Sequence, residues 1–288
     1  MPIFGRVLRK GQGMELEGKR ALVTGGGRGI GRAIALALAA SGAQVALLAR
    51  SAEELHETAA QIGELGRASL VVKADLSTES EVDAALDLVI EAWGGIDVLV
   101  NNAGIQGPIG KMHEVPAADW WKVIEVNLGG VFLCTRRVLP GMIERRYGKI
   151  INLSGGGAVG TRPFFSAYSA SKAAVVRLTE TLAAEVSEYN IDVNAIAPGA
   201  VNTRMLDERL AVGEQAGSAE IAADKKLIEN GGTDPQRPAA LVTYLASSRS
   251  DGLSGRLLAA VWDPWEDLDV EAVMASEAYT VRRLKMEE

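Results

Sequence analysis

Histidine and cysteine are scarce in this chain: two of the first and one of the second in 288 residues. A single thiol closes no intrachain disulfide. Cys134 lies in the apolar run VFLCT, where a lone thiol serves as a small core residue rather than a nucleophile. His56 and His113 stand far apart with no ligand spacing around them, so no catalytic metal is expected. No apolar run approaches the roughly 18 residues of a membrane span. Basic charge is in deficit too, with 30 Lys+Arg against 37 Asp+Glu and a net charge of -7. A nucleic-acid binder carries the opposite footprint. The opening MPIFGRVLRKGQG is basic but has no long apolar centre or cleavage site, which makes it a poor signal peptide. Together these absences point to a cytoplasmic protein acting on a small molecule, with no nucleic-acid or membrane partner.

What is present is an alternation. Apolar β-type runs fall at Arg20–Thr24, Gln44–Ala49, Ser69–Lys73, Asp97–Val100, Lys149–Ser154, Asp192–Ile196 and Arg256–Val261. Helical patterns lie between them, near 29–41, 52–65, 79–93, 117–145, 166–189 and 235–247. Stacked βαβ units of this kind predict an α/β fold: one doubly wound, Rossmann-type domain with a mainly parallel seven-stranded sheet flanked by helices. The domain is expected to span 14–288, with 1–13 as a mobile extension. Residues 204–234 interrupt the alternation, and long insertions of that kind are read as a substrate lid. The extension 262–288 carries Trp262, Trp265, Tyr279 and Leu284, too apolar to fray. Its acidic start (Glu266, Asp267, Asp269, Glu271) and basic end (Arg282, Arg283) suit either a strap across a second copy or local packing on its own domain.

Two runs carry chemistry. TGGGRGIG, from Thr24 to Gly31, follows a strand and opens a helix, a turn whose free N–H groups can receive a pyrophosphate. YSASK puts Tyr168 and Lys172 on one face of a helix, where a cation beside a phenol lowers its pKa from about 10 towards working pH. A nucleotide site beside a tuned proton donor points to nicotinamide chemistry.

These runs are joined by NNAG (Asn101–Gly104) after a strand, Asn127 in VNLGGVF, and PGAVNT from Pro198 to Thr203. In this order they resemble the short-chain dehydrogenase/reductase family from about Gly18 to Val261, including its 3-oxoacyl reductase-like members. The turn resembles the TGxxxGxG pattern, with Gly25, Gly29 and Gly31 in its glycine places. The resemblance implies that Gly25 and Gly29 let the backbone approach the cofactor diphosphate and that Arg28 and Ile30 are also cofactor-binding. It implies that Asp75 takes the adenine amino group beside Leu76, and that Asn102, Ala103 and Gly104 make backbone contacts while Asn101 braces. Pro198, Gly199, Val201 and Thr203 would grip the nicotinamide carboxamide. Tyr168 would be the acid and base, Lys172 would hold the nicotinamide ribose, and Asn127 would anchor a water behind Lys172. The second strand ends in Arg50 and Ser51 rather than an acid, and Arg28 lies nearby; two guanidinium groups favour the 2′-phosphate of NADP, with NAD as the other choice. The family implies a homodimer or homotetramer.

One departure stands out. The family places a serine thirteen positions before its tyrosine, and here that place holds Gly155. Ser154 is the nearest hydroxyl and is counted with the catalytic group, although strand alternation turns it to the other face. A kink in the Gly155–Gly157 run that swings Ser154 in, a backbone nest or a water could fill the gap. The pocket walls are expected from Ile105, Gln106, Pro108, the Pro163–Phe165 run and the segment after Arg204. Their apolar character suits an alicyclic, aromatic or acyl ketone and its alcohol. A 3-oxoacyl-thioester reductase is the alternative within this class. A cofactor-binding regulatory protein with weak or no catalysis is the alternative outside it, motivated by Gly155.

Overall fold

Strands that are apolar on both faces must be covered on both faces, and the helices between them supply the two covers. The computed structural model describes residues 14–282. The expected extension 1–13 lies outside these residues, as do Arg283 and Leu284 at the end of the tail.

The elements run β1 (Arg20–Thr24), α1 (Gly29–Ala40), β2 (Gln44–Ala49), α2 (Ala52–Glu64), β3 (Ser69–Lys73), α3 (Glu79–Trp93), β4 (Val98–Asn101), α4 (Ala117–Ile124) and α5 (Gly130–Arg145). They continue with β5 (Gly148–Leu153), α6 (Ser166–Glu185), β6 (Ile191–Ala197), α7 (Arg204–Val212), α8 (Ser218–Glu229), α9 (Gln236–Ala246), β7 (Leu257–Ala259) and α10 (Val270–Met274). All seven strands are parallel, in the order β3-β2-β1-β4-β5-β6-β7. Alternate strand residues feed two cores. Val23 and Leu47 pack with Ile34 and Leu38 of α1 and Leu241 of α9 on one face. Leu22 and Leu48 pack with Leu86 of α3, Cys134 and Val138 of α5 and Leu182 of α6 on the other. Burial pushes the Cys134 thiol up to about 12, as befits core filling.

Chain order reverses at β1 and β4, so the loops after these two strands leave the sheet on opposite sides of one crevice. Such a switch point, at the carboxyl ends of the strands, is where an open α/β sheet binds ligands. The glycine turn follows β1 and NNAG follows β4, which puts both at that crevice.

Some elements depart from expectation. The helical pattern over 117–145 is not one helix: a π-helical turn, Glu125–Gly129, separates α4 from α5. It is centred on Asn127, and such insertions recur at functional sites. Asp97 is not in β4; its carboxylate binds Arg20 at 2.6 Å at the strand's foot. Residues 187–189 form a separate 3-10 turn after α6, and β7 is shorter than the apolar run. The 204–234 stretch holds α7 and α8 and ends in Gly231 and Gly232 at φ 74° and 69°. No described helix is long and apolar enough to cross a membrane.

The tail packs on its own chain as far as it is described. Trp265 is buried against Tyr244, with its indole N–H donating to the Ala260 carbonyl at 3.0 Å. The Leu257 N–H donates to the Tyr279 carbonyl at 2.7 Å, and Arg282 pairs with Glu180 at 2.7 Å.

Candidate active site

The turn after β1 is built by packing that leaves no room for side chains. A Cβ on Gly31 would overlap the Gly25 carbonyl oxygen, so the first turn of α1 sits directly on the strand end. Gly25 adopts φ 66° with its Cβ position 2.8 Å from the Asn102 amide nitrogen. Asn102 binds back, donating to the Thr24 carbonyl at 2.8 Å, while the Thr24 hydroxyl accepts from the N–H groups of Asn102 and Ala103 at 3.0 and 3.1 Å. The two crevice loops are thus tied together. No side chain caps the N-terminus of α1, so its first N–H groups are left to meet an anion. Gly29 is exposed there, and Thr203 lies 3.5 Å from its Cβ position, which brings the segment after β6 across the crevice. A bare-backbone cradle with free donors fits a dinucleotide diphosphate.

Where the adenine end is expected, Arg50 is exposed just after β2 and Ser51 caps α2. Arg28 is paired with Glu54 at 3.0 Å. Asp75 accepts from the Ser77 N–H and hydroxyl at 2.9 and 2.7 Å. Burial opposes ionisation of Asp75, but Ser77, Lys122 and Arg50 hold its carboxyl below the usual range. Leu76 is buried beside it against Gly130. Among the residues expected to grip the carboxamide, Pro198 precedes Gly199, which turns at φ 85°, and the Val201 N–H donates to the Gly199 carbonyl at 3.2 Å. Ile30 packs on the core behind the turn.

The chemistry-bearing side chains converge at the ends of β4 and β5. Asn127 pins the loop after NNAG: its Oδ1 accepts from the Ile105 N–H at 2.8 Å and its Nδ2 donates to the Ile105 carbonyl at 2.9 Å. The Gly104 Cβ position lies 3.2 Å from Asn127 Oδ1 and 3.5 Å from Lys172 Nζ. Asn101 donates to Asn152 at 2.8 Å, bonding neighbouring strand ends. Gln106 is buried, and neither polar atom of its side-chain amide has a hydrogen-bond partner among the described residues.

Lys172 donates to the Leu153 carbonyl at 2.8 Å, and burial pushes its ammonium down to about 8. From an ordinary value of 10.5, that is roughly 3 kcal/mol set against the folded state at neutral pH. The penalty is constant below about pH 8, where lysine is charged in both states. It is relieved as pH rises towards 10.5, because only the folded lysine sheds its proton. Lys172→Met removes that cost but leaves the buried Leu153 carbonyl unpaired, at about 1–3 kcal/mol, so the melting temperature at pH 7 is expected to rise by only a few degrees while turnover falls. Thermal melts read beside an activity assay test this, and an unchanged or lower melting temperature counts against it.

Tyr168 is buried with Phe165 and Ala216, with Ile109, Phe164 and Val212 packed around them. Burial pushes its phenol up, and Arg162 and Arg209 pull the other way. Lys172 was the expected cation, and its Nζ stands 5.7 Å from the Tyr168 ring centre. The two arginines were not anticipated. Arg162 lies 5.6 Å from the same ring centre and 4.0 Å from that of Phe165. Only a charged residue inside an otherwise uncharged TRPFFSAY run hinted at it.

Ser154 is buried beside the site. Its hydroxyl is directed at the Lys172 carbonyl, 3.5 Å away. Gly155 faces the phenol, with its Cβ position 2.5 Å from Tyr168 Oη. Strand alternation explains both orientations.

This arrangement has relatives. A family model described as short chain dehydrogenase matches residues 19–212. A 3beta-hydroxysteroid dehydrogenase 1 of Eggerthella lenta is 40% identical over 247 residues, covering 85% of this chain and 92% of that one. Among solved structures, levodione reductase aligns with a TM-score of 0.78 at 33% identity, over 85% of this chain and 96% of its own. NAD+-bound xylitol dehydrogenase gives 0.79 at 32% identity, over 85% and 98%. On this footing the chain belongs to the short-chain dehydrogenase/reductase family, nicotinamide-dependent oxidoreductases of alcohols and ketones.

Proposed function

We propose that this protein interconverts an alicyclic secondary alcohol and its ketone with Tyr168 as acid and base, preferring NADP(H). The observation that carries the reading is the convergence of Tyr168, Lys172, Asn127 and Gly104 at the mouth of a crevice whose other wall is the glycine turn. A nicotinamide cofactor supplies the hydride acceptor in oxidation and the hydride donor in reduction. In oxidation Tyr168 takes the hydroxyl proton as the carbinol C–H pair departs as hydride, leaving the C=O bond; in reduction it returns the proton to the carbonyl oxygen. Lys172 binds the ribose hydroxyls, and Asn127 holds the loop that carries Gly104. Val201 and Thr203 orient the carboxamide, which is catalysis by positioning. Ser154 takes no part at the substrate oxygen.

The substrate class rests on the apolar surround of the phenol and on the steroid-acting relative. Assembly as a homodimer or homotetramer is supported by the exposed Trp121 on α4 and Phe132 on α5. Absorbance of reduced nicotinamide against alicyclic ketones, a 3-ketosteroid and a 3-oxoacyl thioester tests the reading. Turnover of the thioester alone would reassign the substrate. Tight cofactor binding with no turnover across the panel would favour the regulatory protein that Gly155 motivates.

The cofactor preference rests on Arg50, exposed just after β2, where that strand's own end carries no acid; Arg28 can join once it leaves Glu54. Arg50→Asp is expected to weaken NADP binding by about 10-fold or more, since a charge-assisted bond to phosphate is worth 1.5–3 kcal/mol, with NAD little affected. Titrations of both cofactors against parent and variant measure it. Equal affinities in the parent would sink the preference.

A further inference from the structure

The phenol of Tyr168 has no hydroxyl neighbour at position 155, yet it sits beside a built cluster of charge. Arg162, in the loop before α6, runs along the glycine run: its Cβ is 3.3 Å from the Gly157 Cβ position and its Nη1 is 3.8 Å from that of Gly156. Its guanidinium is held by Glu220 of α8, through Nη2 and through Nε at 3.3 Å. Arg209 of α7 touches the same carboxylate at 3.5 Å and makes a two-pronged bond to Asp224, at 2.6 Å for the shortest contact. Side-chain exposure within the cluster runs from 21% for Glu220 down to 5% for Asp224, so solvent screens it weakly.

The charges balance in number but not in position. Asp224 and Arg209 satisfy each other at the far end, while Glu220 is shared between the two arginines. Arg162 is the member that stacks on Phe165 and stands over the Tyr168 ring. A cation within about 6 Å favours phenolate, and a carboxylate bound to that cation tempers the effect. The charged groups facing the phenol are therefore Lys172 from its own helix, Arg162 from the preceding loop, and Arg209, Glu220 and Asp224 from the α7–α8 segment.

We propose that Arg162 is a positioning residue that sets the proton affinity of Tyr168, and that Glu220 tunes it from the α7–α8 segment. This rests on the reading of Tyr168 as the proton-transfer group. It makes proton transfer depend on where α8 sits, because Glu220 arrives with that helix. In effect, a cation fixed by a separate segment does part of what a neighbouring hydroxyl does elsewhere.

The test needs no substrate. Tyrosinate absorbance is titrated with pH in the NADP-bound protein, each background being differenced against its own Tyr168→Phe version so that only Tyr168 is read. Arg162→Gln is expected to raise the midpoint by about one pH unit, and Arg162→Lys to return it towards the parent. Glu220→Gln removes the carboxylate that tempers Arg162, so its midpoint is expected to fall. A cluster serving only as a latch would lose the same ion pair in either variant and move both midpoints the same way. Shifts of like sign, or no shift in either variant, would overturn the proposal. Should Arg162→Gln fold poorly, Glu220→Gln decides alone: a fall supports the proposal, and a rise or no change ends it. Full turnover in Tyr168→Phe would remove the underlying reading instead, a separate outcome read in a separate assay.

Discussion

Replacing Tyr168 with phenylalanine is expected to lower turnover by about 10²–10⁴ while leaving cofactor affinity within a few-fold. The ring keeps its place among Phe165, Ala216 and Phe164, so the substitution removes one oxygen and little packing. What goes is the group that receives the carbinol proton. Without it, the proton must reach water from a site where apolar side chains keep water out. Steady-state rates in both directions, with cofactor titration of the variant, provide the check. Activity within a few-fold of the parent would mean that another acid serves.

Gly155→Ser is expected to lower turnover too, by about 10²-fold. This is the less intuitive result, because the substitution restores a residue type the family uses. The Cβ of the new side chain would begin 2.5 Å from Tyr168 Oη, closer than two such atoms approach. Gly155 is not among the glycines at positive φ, so the backbone accepts serine, and the conflict lies wholly with the phenol. The ring cannot simply retreat, since Phe165 and Ala216 close it in and Arg162 covers it. A displacement near 1 Å at a reacting atom costs about 10²-fold, and a serine hydroxyl wedged beside a displaced phenol is not placed to recover the roughly 10²–10³ of an aligned oxyanion donor. The displaced phenol therefore decides the sign only if it cannot relax. A rise in kcat would show that it does relax and that the hydroxyl then works as a donor.

The readable parts of this molecule are those in which local chemistry and global placement coincide. β1 and β2 lie where their apolar runs lie, because a strand buried on both faces leaves no choice of residue. The glycine turn is legible for the same reason: Gly31 has the Gly25 carbonyl against it, and any side chain would be rejected. The orientation of Ser154 followed from the period of a strand alone. The π-helical turn at Asn127 did not, because a helical period over 117–145 is blind to one extra residue in a turn. That turn is linked to a tertiary event, the capture of Ile105 by the Asn127 amide. The ion cluster was hidden more deeply. Arg162 and Glu220 are 58 residues apart, and nothing in either neighbourhood names the other. Expectation chose Lys172 as the cation beside the phenol because helical spacing exposes that pair; the arginines arrive from loops and helices whose paths only folding reveals.

The bond between the Leu257 N–H and the Tyr279 carbonyl, noted above as a detail of the tail, bears on how the molecule keeps to itself in crowded solution. β7 is the last strand of the sheet on its side, and an outermost strand offers a row of free donors and acceptors to any other chain that passes. Here the strand has three residues, and the returning chain already occupies one of its outward donors. Arg282 and Val281, both bound to Glu180, fasten that returning segment to α6. The tail thus covers part of this margin, and deleting it is expected to leave the Leu257 N–H free to pair with another chain.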